Sequence, residues 1–237
     1  MAQWRPFHFL LELGDNFYYT GVGSASDSRF QTTFEQVYSR PYLFSPFYVL
    51  AGNHDSLGNV LAQVAYTNRS SIWVFPDLNY ATKRKARLIL EWIERRLRES
   101  TADYLFVAGH YPVYSAGNDG ISRCLLRDLD PLLRRYRVSA YFSGHDHNLQ
   151  HIRVGCVDYI ISGGASRTDS NSKHRRSLPE GSLRHFNPIS QLGLSHAAFV
   201  TAVIDNSSAT FEFFKGSGKR LYSTRILPRR EKRCYSV

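Results

Sequence analysis

Four short apolar runs in this chain end in the same way, with a glycine followed by a side chain able to bind a metal ion. They are Leu11-Glu12-Leu13-Gly14-Asp15, Tyr48-Val49-Leu50-Ala51-Gly52-Asn53-His54, Leu105-Phe106-Val107-Ala108-Gly109-His110 and Ala140-Tyr141-Phe142-Ser143-Gly144-His145-Asp146-His147. Each reads as a strand, a glycine that lets the backbone turn sharply, and a ligand. A rigid sheet fixes where the next side chain points, and open α/β sheets bind ligands at the carboxyl ends of their strands. All four endings are therefore expected to converge on one crevice.

The pattern around these runs supports an α/β chain. Over the first 150 residues, apolar runs alternate with segments of helical spacing. The clearest helix is expected from Lys83 to Ser100, where Ala86, Leu90, Ile93 and Leu97 form one stripe and Arg87, Glu91, Glu94 and Arg98 the other. A second is expected from Arg123 to Tyr136, kinked or interrupted by Pro131. From Ile152 onward the texture favours antiparallel strands at Val157 to Ile161, Ala197 to Ile204, Thr210 to Phe214 and Leu221 to Ile226. The polar stretch Ser166 to Ser190 reads as a mobile loop. One domain over 7–228 with a basic tail at 229–237 is the simplest division.

Composition narrows the partners. Thirty Lys and Arg against 20 Asp and Glu give a net charge of +10, which favours anionic partners. The basic clusters carry no RNA-binding signature or zinc-finger spacing, so no dedicated nucleic-acid site is expected. No apolar run approaches the roughly 18 residues needed to span a bilayer. Cys124, Cys156 and Cys234 are too few for a disulfide framework and allow at most one pair. Asn68 and Asn206 head sequons that would suit a secreted glycoprotein, although no signal peptide precedes the first apolar run. The chain is thus expected to be an intracellular form or one whose true beginning is missing.

Asp15, Tyr18, Asn53, His54, His110, His145 and His147 offer oxygen and nitrogen donors without a thiolate, a set suited to Fe, Mn or Zn rather than Cu(I). Singly, Asp15 and Asn53 read as turn or cap residues, His110 as a buried core histidine and Tyr18 as a packing residue. Gly144-His145-Asp146-His147 and Gly52-Asn53-His54-Asp55 together resist that explanation, because clustered imidazoles gain nothing from packing. Seven such groups exceed the need of one ion. Two ions about 3.5 to 4 Å apart, bridged by a carboxylate, would use them, as in phosphoryl chemistry.

Gly14-Asp15-Asn16-Phe17-Tyr18, Gly52-Asn53-His54-Asp55, Gly109-His110-Tyr111-Pro112 and Gly144-His145-Asp146-His147-Asn148 stand in the order of the calcineurin-like metallophosphoesterases. The flanking residues resemble the small purple acid phosphatases of the tartrate-resistant type 5 kind, from about Phe9 to the carboxyl end. The resemblance implies a β-sandwich flanked by helices in α/β/β/α layers, and an acid phosphatase that hydrolyses phosphate monoesters. It implies Asp15 as the bridging carboxylate, with Tyr18 and His147 on Fe(III). Asn53, His110 and His145 would hold a divalent Fe or Zn. A hydroxide generated at the metal pair would attack phosphorus, while His54 assists the leaving group. Asp55 and Asp146 are expected behind the ligands, orienting them. Substrates would be phosphomonoesters, acidic phosphoproteins among them, acted on by a monomer. The family is secreted or lysosomal.

The chain departs from that family at three places. An earlier Gly-Asp-x-Gly strand is missing, so the ferric site lacks one Asp. Asn79-Tyr80 runs directly into Ala81-Thr82-Lys83, where relatives carry a further strand pair and a cysteine that pairs with the equivalent of Cys124. That loss is expected to expose apolar faces and unpaired backbone. Asp119 stands where the family has a substrate-facing histidine, and its charge is expected to repel a phosphate or shift the pH optimum. The alternative to an enzyme is a catalytically impaired splice or gene-model remnant that binds one metal or a partner. A phosphodiesterase or nuclease on the same scaffold is a third reading.

Overall fold

The computed structural model describes residues 7–40, 43–77, 86–166, 169–187 and 197–232. The Tyr80-Ala81 junction, Lys83, Cys234 and the last residues of the tail lie outside them. The chain forms two compact units, Met1–Tyr80 and Ala81–Val237.

The first unit is built on a parallel sheet of order β1-β2-β3, with β1 at Leu10–Leu13, β2 at Phe47–Leu50 and β3 at Trp73–Val74. Leu10 registers with Phe47 and Leu13 with Leu50, so the first two strand ends lie side by side. A π-helical segment at Phe30–Glu35 and helix α1 at Val60–Tyr66 supply the covering layer. Helix α1 starts at Asn59 because that side chain accepts the Ala62 N–H, satisfying a donor the first turn leaves open. The core is aromatic: Phe30 stacks on Tyr66 at 3.7 Å, and Phe34 and Phe30 meet Trp73 edge-on. Each such ring contributes about 2 kcal/mol by leaving water. Strand β1 is an edge of its sheet among the described residues, and Phe9, Leu11 and Tyr48 are exposed.

Asp55 knits this unit together. It is fully buried and accepts the backbone N–H groups of Asn16 (3.1 Å), Phe17 (3.2 Å) and Gly52 (2.9 Å), and the Gln63 side-chain amide (2.9 Å). The loops after β1 and β2 are thereby tied to each other and to α1. Gln63 is the polar residue in an otherwise apolar helical run, and its burial is explained by this bond.

The second unit contains a five-stranded sheet of order β4-β5-β7-β6-β8, with β4 at Phe106–Ala108, β5 at Ala140–Ser143, β6 at Leu149–Val154, β7 at Val157–Ser162 and β8 at Leu183–Asn187. Strands β4, β5 and β7 run parallel, and β6 is antiparallel to β7 and β8. The meander of β9 at Ala198–Ile204, β10 at Ala209–Lys215 and β11 at Arg220–Ile226 forms a second, antiparallel sheet. Alternation along β5 and β7 separates two cores. Tyr141 and Tyr159 face helix α2 at Ala86–Glu99, α3 at Arg123–Asp128 and α4 at Asp130–Arg135, through Leu90, Ile93, Leu97 and Leu133. Ala140 and Ile160 face Phe211, Phe213 and Ile226 of the second sheet.

Two expectations are refined here. The helix expected at Arg123 to Tyr136 is two helices, because Pro131 has no N–H to donate and instead opens the first turn of α4. The polar stretch expected to be a loop carries a 3-10 turn at Arg175–Ser177 and strand β8, whose backbone completes the edge of β6 despite its polar sequence Leu-Arg-His-Phe-Asn. The start of the basic tail is anchored rather than solvated. Lys232 reaches the buried carboxylate of Asp158 at 2.7 Å, Arg153 meets it at 2.6 Å, and His151 Nε2 lies 2.7 Å from the same group. The other His151 nitrogen lies 2.9 Å from the Tyr222 hydroxyl. Cys156 is disulfide-bonded and Cys124 is a free, exposed thiol.

Two outcomes are expected. Asp55→Ala leaves at least three buried N–H donors without an acceptor and should cost about 3 kcal/mol or more in urea unfolding, whereas Asp55→Asn, which keeps one oxygen, should cost less. The second concerns pH. Burial lowers the His151 pKa against the opposing Asp158 bond, so the unfolded chain takes up the proton first and stability falls as pH drops below 6.5. Burial raises Asp158, but His151, Lys232 and Arg153 outweigh it and hold the carboxyl well below its ordinary range, so its share is lost only as pH falls below 3.8. His151→Gln should therefore flatten the fall in melting temperature between about pH 6.5 and 5, a window set by the His titration. An unchanged slope would assign the fall to other groups.

Candidate metal centre

The strand-end ligands of the first unit are gathered around Asp15. This residue follows Gly14 and takes a left-handed backbone conformation, φ 59°, which turns its carboxylate out of the line of β1. One carboxylate oxygen accepts the Tyr18 hydroxyl at 3.2 Å and the other the backbone N–H of His54 at 2.9 Å. His54 and Tyr18 rings lie 4.6 Å apart. His54 Nδ1 sits 2.7 Å from the Tyr19 carbonyl oxygen, an acceptor, so Nδ1 carries the proton in the neutral ring. Asn53 is half-buried between Gly52 and His54. The network of Asp55 holds both loops from behind.

In the second unit His110 is buried and follows Gly109 at the end of β4, and His145 follows Gly144 at the end of β5 with φ 61°. The parallel pairing of β4 with β5 sets the two imidazoles side by side, His110 Nε2 being 3.1 Å from His145 Nδ1. His147 is half-buried two residues on, and its carbonyl accepts the Asp169 N–H at 2.8 Å. Asp146, between the two histidines, points away from solvent. It accepts the Ser115 hydroxyl and the Asn118 N–H (3.1 Å), and burial, with the nearby Asp119 carboxylate adding and Ser115 opposing, pushes its pKa up to about 6. Gly163 at the end of β7 passes so close that a Cβ there would lie 2.0 Å from the Asp146 carbonyl oxygen.

Sequence reasoning overlooked several supporting groups. Ser115 and Gln150 are fully buried and bonded to each other at 2.7 Å, and Gln150 also receives the Ala116 N–H at 2.8 Å. A signal was available at Ser115, which interrupts the apolar run around Val113, Tyr114 and Ala116, whereas Gln150 stands among polar residues. Asp119, read from the sequence as facing substrate, sits 3.3 Å from His145 Nε2. Asn68 and Asn206 are exposed. No helix among the described residues is long and apolar enough to cross a membrane.

The donor set fits hard or borderline cations. In the first unit a carboxylate and a phenol meet, and in the second two imidazole nitrogens are brought within one hydrogen-bond length of each other by rigid strands.

The calcineurin-like phosphoesterase family matches residues 3–149. The chain is 40% identical to the tartrate-resistant acid phosphatase type 5 of Oryctolagus cuniculus, over 98% of the chain and 82% of that protein. With the Homo sapiens protein of the same name it shares 40% over 94% of the chain and 79% of the relative. Purple acid phosphatase 7 of Arabidopsis thaliana is 27% identical over 93% and 76%. Among solved structures, GAP50, described as the anchor in the inner membrane complex of Plasmodium, shares the fold with a TM-score of 0.80 at 22% identity, over 93% of this chain and 78% of that one. The purple acid phosphatase PPD1 of yellow lupin seeds gives 0.59 at 17% identity, over 92% and 46%. The motif order, the α/β fold and the identity level carry one conclusion, that the chain belongs to the calcineurin-like phosphoesterases, in their purple acid phosphatase branch.

Proposed function

We propose that this chain is an acid phosphatase that hydrolyses phosphate monoesters with the help of a dinuclear metal centre. The observation that carries the reading is the pair of imidazole nitrogens at 3.1 Å on adjacent strand ends, two ligand atoms that one cation would bring together. Asp15, Tyr18 and His147 would hold Fe(III), and Asn53, His110 and His145 a divalent Fe or Zn, with Asp15 shared. When bound, the two cations supply an activated water and neutralise charge on the phosphoryl oxygens.

The chain's own residues do the rest. His54 keeps its proton on Nδ1 against the Tyr19 carbonyl, which leaves Nε2 as the nitrogen that would hand a proton to the departing alkoxide. The Tyr18 ring, 4.6 Å away, limits the swing of that imidazole. Asp55 and Asp146 fix the two loop sets, so the donors need no reorganisation when substrate arrives. The exposed Lys173, Arg175 and Arg176, with the charge of +10, support acidic phosphoproteins among the substrates. Asn68 and Asn206 are accessible for glycosylation.

The test is expression with iron supplied, followed by metal analysis, a visible spectrum and an aryl-phosphate assay at acidic pH. Two metals per chain, a tyrosinate band and turnover are expected. His54→Ala should lower kcat by about 10² to 10⁴ with metal content unchanged. One metal per chain, no visible band and no turnover would favour the non-catalytic remnant, and faster hydrolysis of a bis-aryl phosphate would favour the phosphodiesterase.

A further inference from the structure

Asp119 stands 3.3 Å from His145 Nε2, on the ring edge opposite the nitrogen that faces His110. In that contact the carboxylate oxygen accepts from the ring, which puts the imidazole proton on Nε2 and leaves Nδ1 as a lone pair. That is the nitrogen 3.1 Å from His110 Nε2. A histidine that binds a metal through one nitrogen and gives its other N–H to a carboxylate is fixed in tautomer and orientation, and is a better donor for it.

The carboxylate is itself held in place. Its loop is pinned on both sides: the Ala116 N–H goes to Gln150 (2.8 Å), the Asn118 N–H to Asp146 (3.1 Å), and the Lys173 ammonium to the Asn118 side chain (3.0 Å). His174 lies across the loop with Nδ1 3.0 Å from the Gly117 carbonyl oxygen. Gly120, at φ 69°, leaves no room for a Cβ, which would lie 2.8 Å from the His174 ring. At 41% side-chain exposure Asp119 keeps contact with water while it reaches His145.

We infer that Asp119 is a positioning residue for the divalent site, holding His145 in the Nε2–H tautomer with Nδ1 presented as the ligand atom. This replaces the expectation that its charge faces the substrate. The inference rests on the dinuclear reading for the identity of the site, and is tested without turnover.

The probe is zinc alone, titrated by calorimetry into the metal-free full chain, with the His145 tautomer read by nitrogen-15 NMR. Asp119→Ala should weaken zinc binding by about 10- to 100-fold. Asp119→Asn, which keeps a carbonyl acceptor for the Nε2–H, should fall between that variant and the parent. The parent should show His145 protonated at Nε2. Zinc affinity in Asp119→Ala equal to the parent, no zinc binding by the parent, or a proton on Nδ1 would each overturn the inference. If Asp119→Ala does not fold, the parent's tautomer and the Asp119→Asn titration decide. A parent that binds zinc with the expected tautomer but fails to hydrolyse aryl phosphate would sink the hydrolase reading and leave this one standing.

Discussion

A strand end can aim a ligand only if the loop beyond it cannot relax, and in both units a buried carboxylate prevents that relaxation. Asp55 collects backbone N–H groups from the loops after β1 and β2, and Asp146 collects the Ser115 hydroxyl and the Asn118 N–H beside β5. Neither group faces solvent. A buried carboxylate is expensive unless its lone pairs are used, so each loop must keep its shape for the carboxylate to remain satisfied. The left-handed backbones of Asp15 and His145, which an ordinary loop would shed, persist because these networks over-determine them.

Much of this was legible in the sequence because it follows from local rules. The glycine before each ligand, the apolar run before each glycine and the stripe of Leu90, Ile93 and Leu97 gave the strand ends and the helix α2 that covers the sheet. What could not be read was long-range. Strand β8 has an unpromising polar sequence, and it is a strand because the edge of β6 needs hydrogen-bond partners. Gln63 and Ser115 interrupt apolar runs and Gln150 stands in a polar stretch, but only the fold shows that each completes the shell of a buried carboxylate or loop. Asp158 likewise looked like one acidic residue in a strand until Lys232, 74 residues away, was found upon it.

The Asp158 cluster also shows why charge need not translate into stability. Three cationic or protonatable groups meet one fully buried carboxylate, two of them, His151 and Lys232, largely withdrawn from water and Arg153 only in part. Such a cluster gains little over a well-packed apolar core, and loses heavily if one partner goes. Its consequence is geometric: the start of the tail is drawn onto the backbone between β5 and β7, where Lys232 also reaches the Ser139 carbonyl at 3.1 Å. The strand that delivers His145 is thus clamped at its far end by the tail and at its near end by Asp146.

Asp119 extends that logic to the ligand itself. A residue of opposite charge at the same place would repel a metal and attract a phosphate, whereas a carboxylate does the reverse, so one position trades substrate affinity against metal affinity. The chain offsets the first effect locally. Lys173 sits on the neighbouring Asn118 side chain, and Arg175 and Arg176 follow on the same exposed turn. An anion approaching this rim therefore meets the cations of one loop beside the single negative charge of the other, and that charge is directed inward, toward His145. On the proposed reading, the same pair of loops would favour a cation inside and an anion outside without moving.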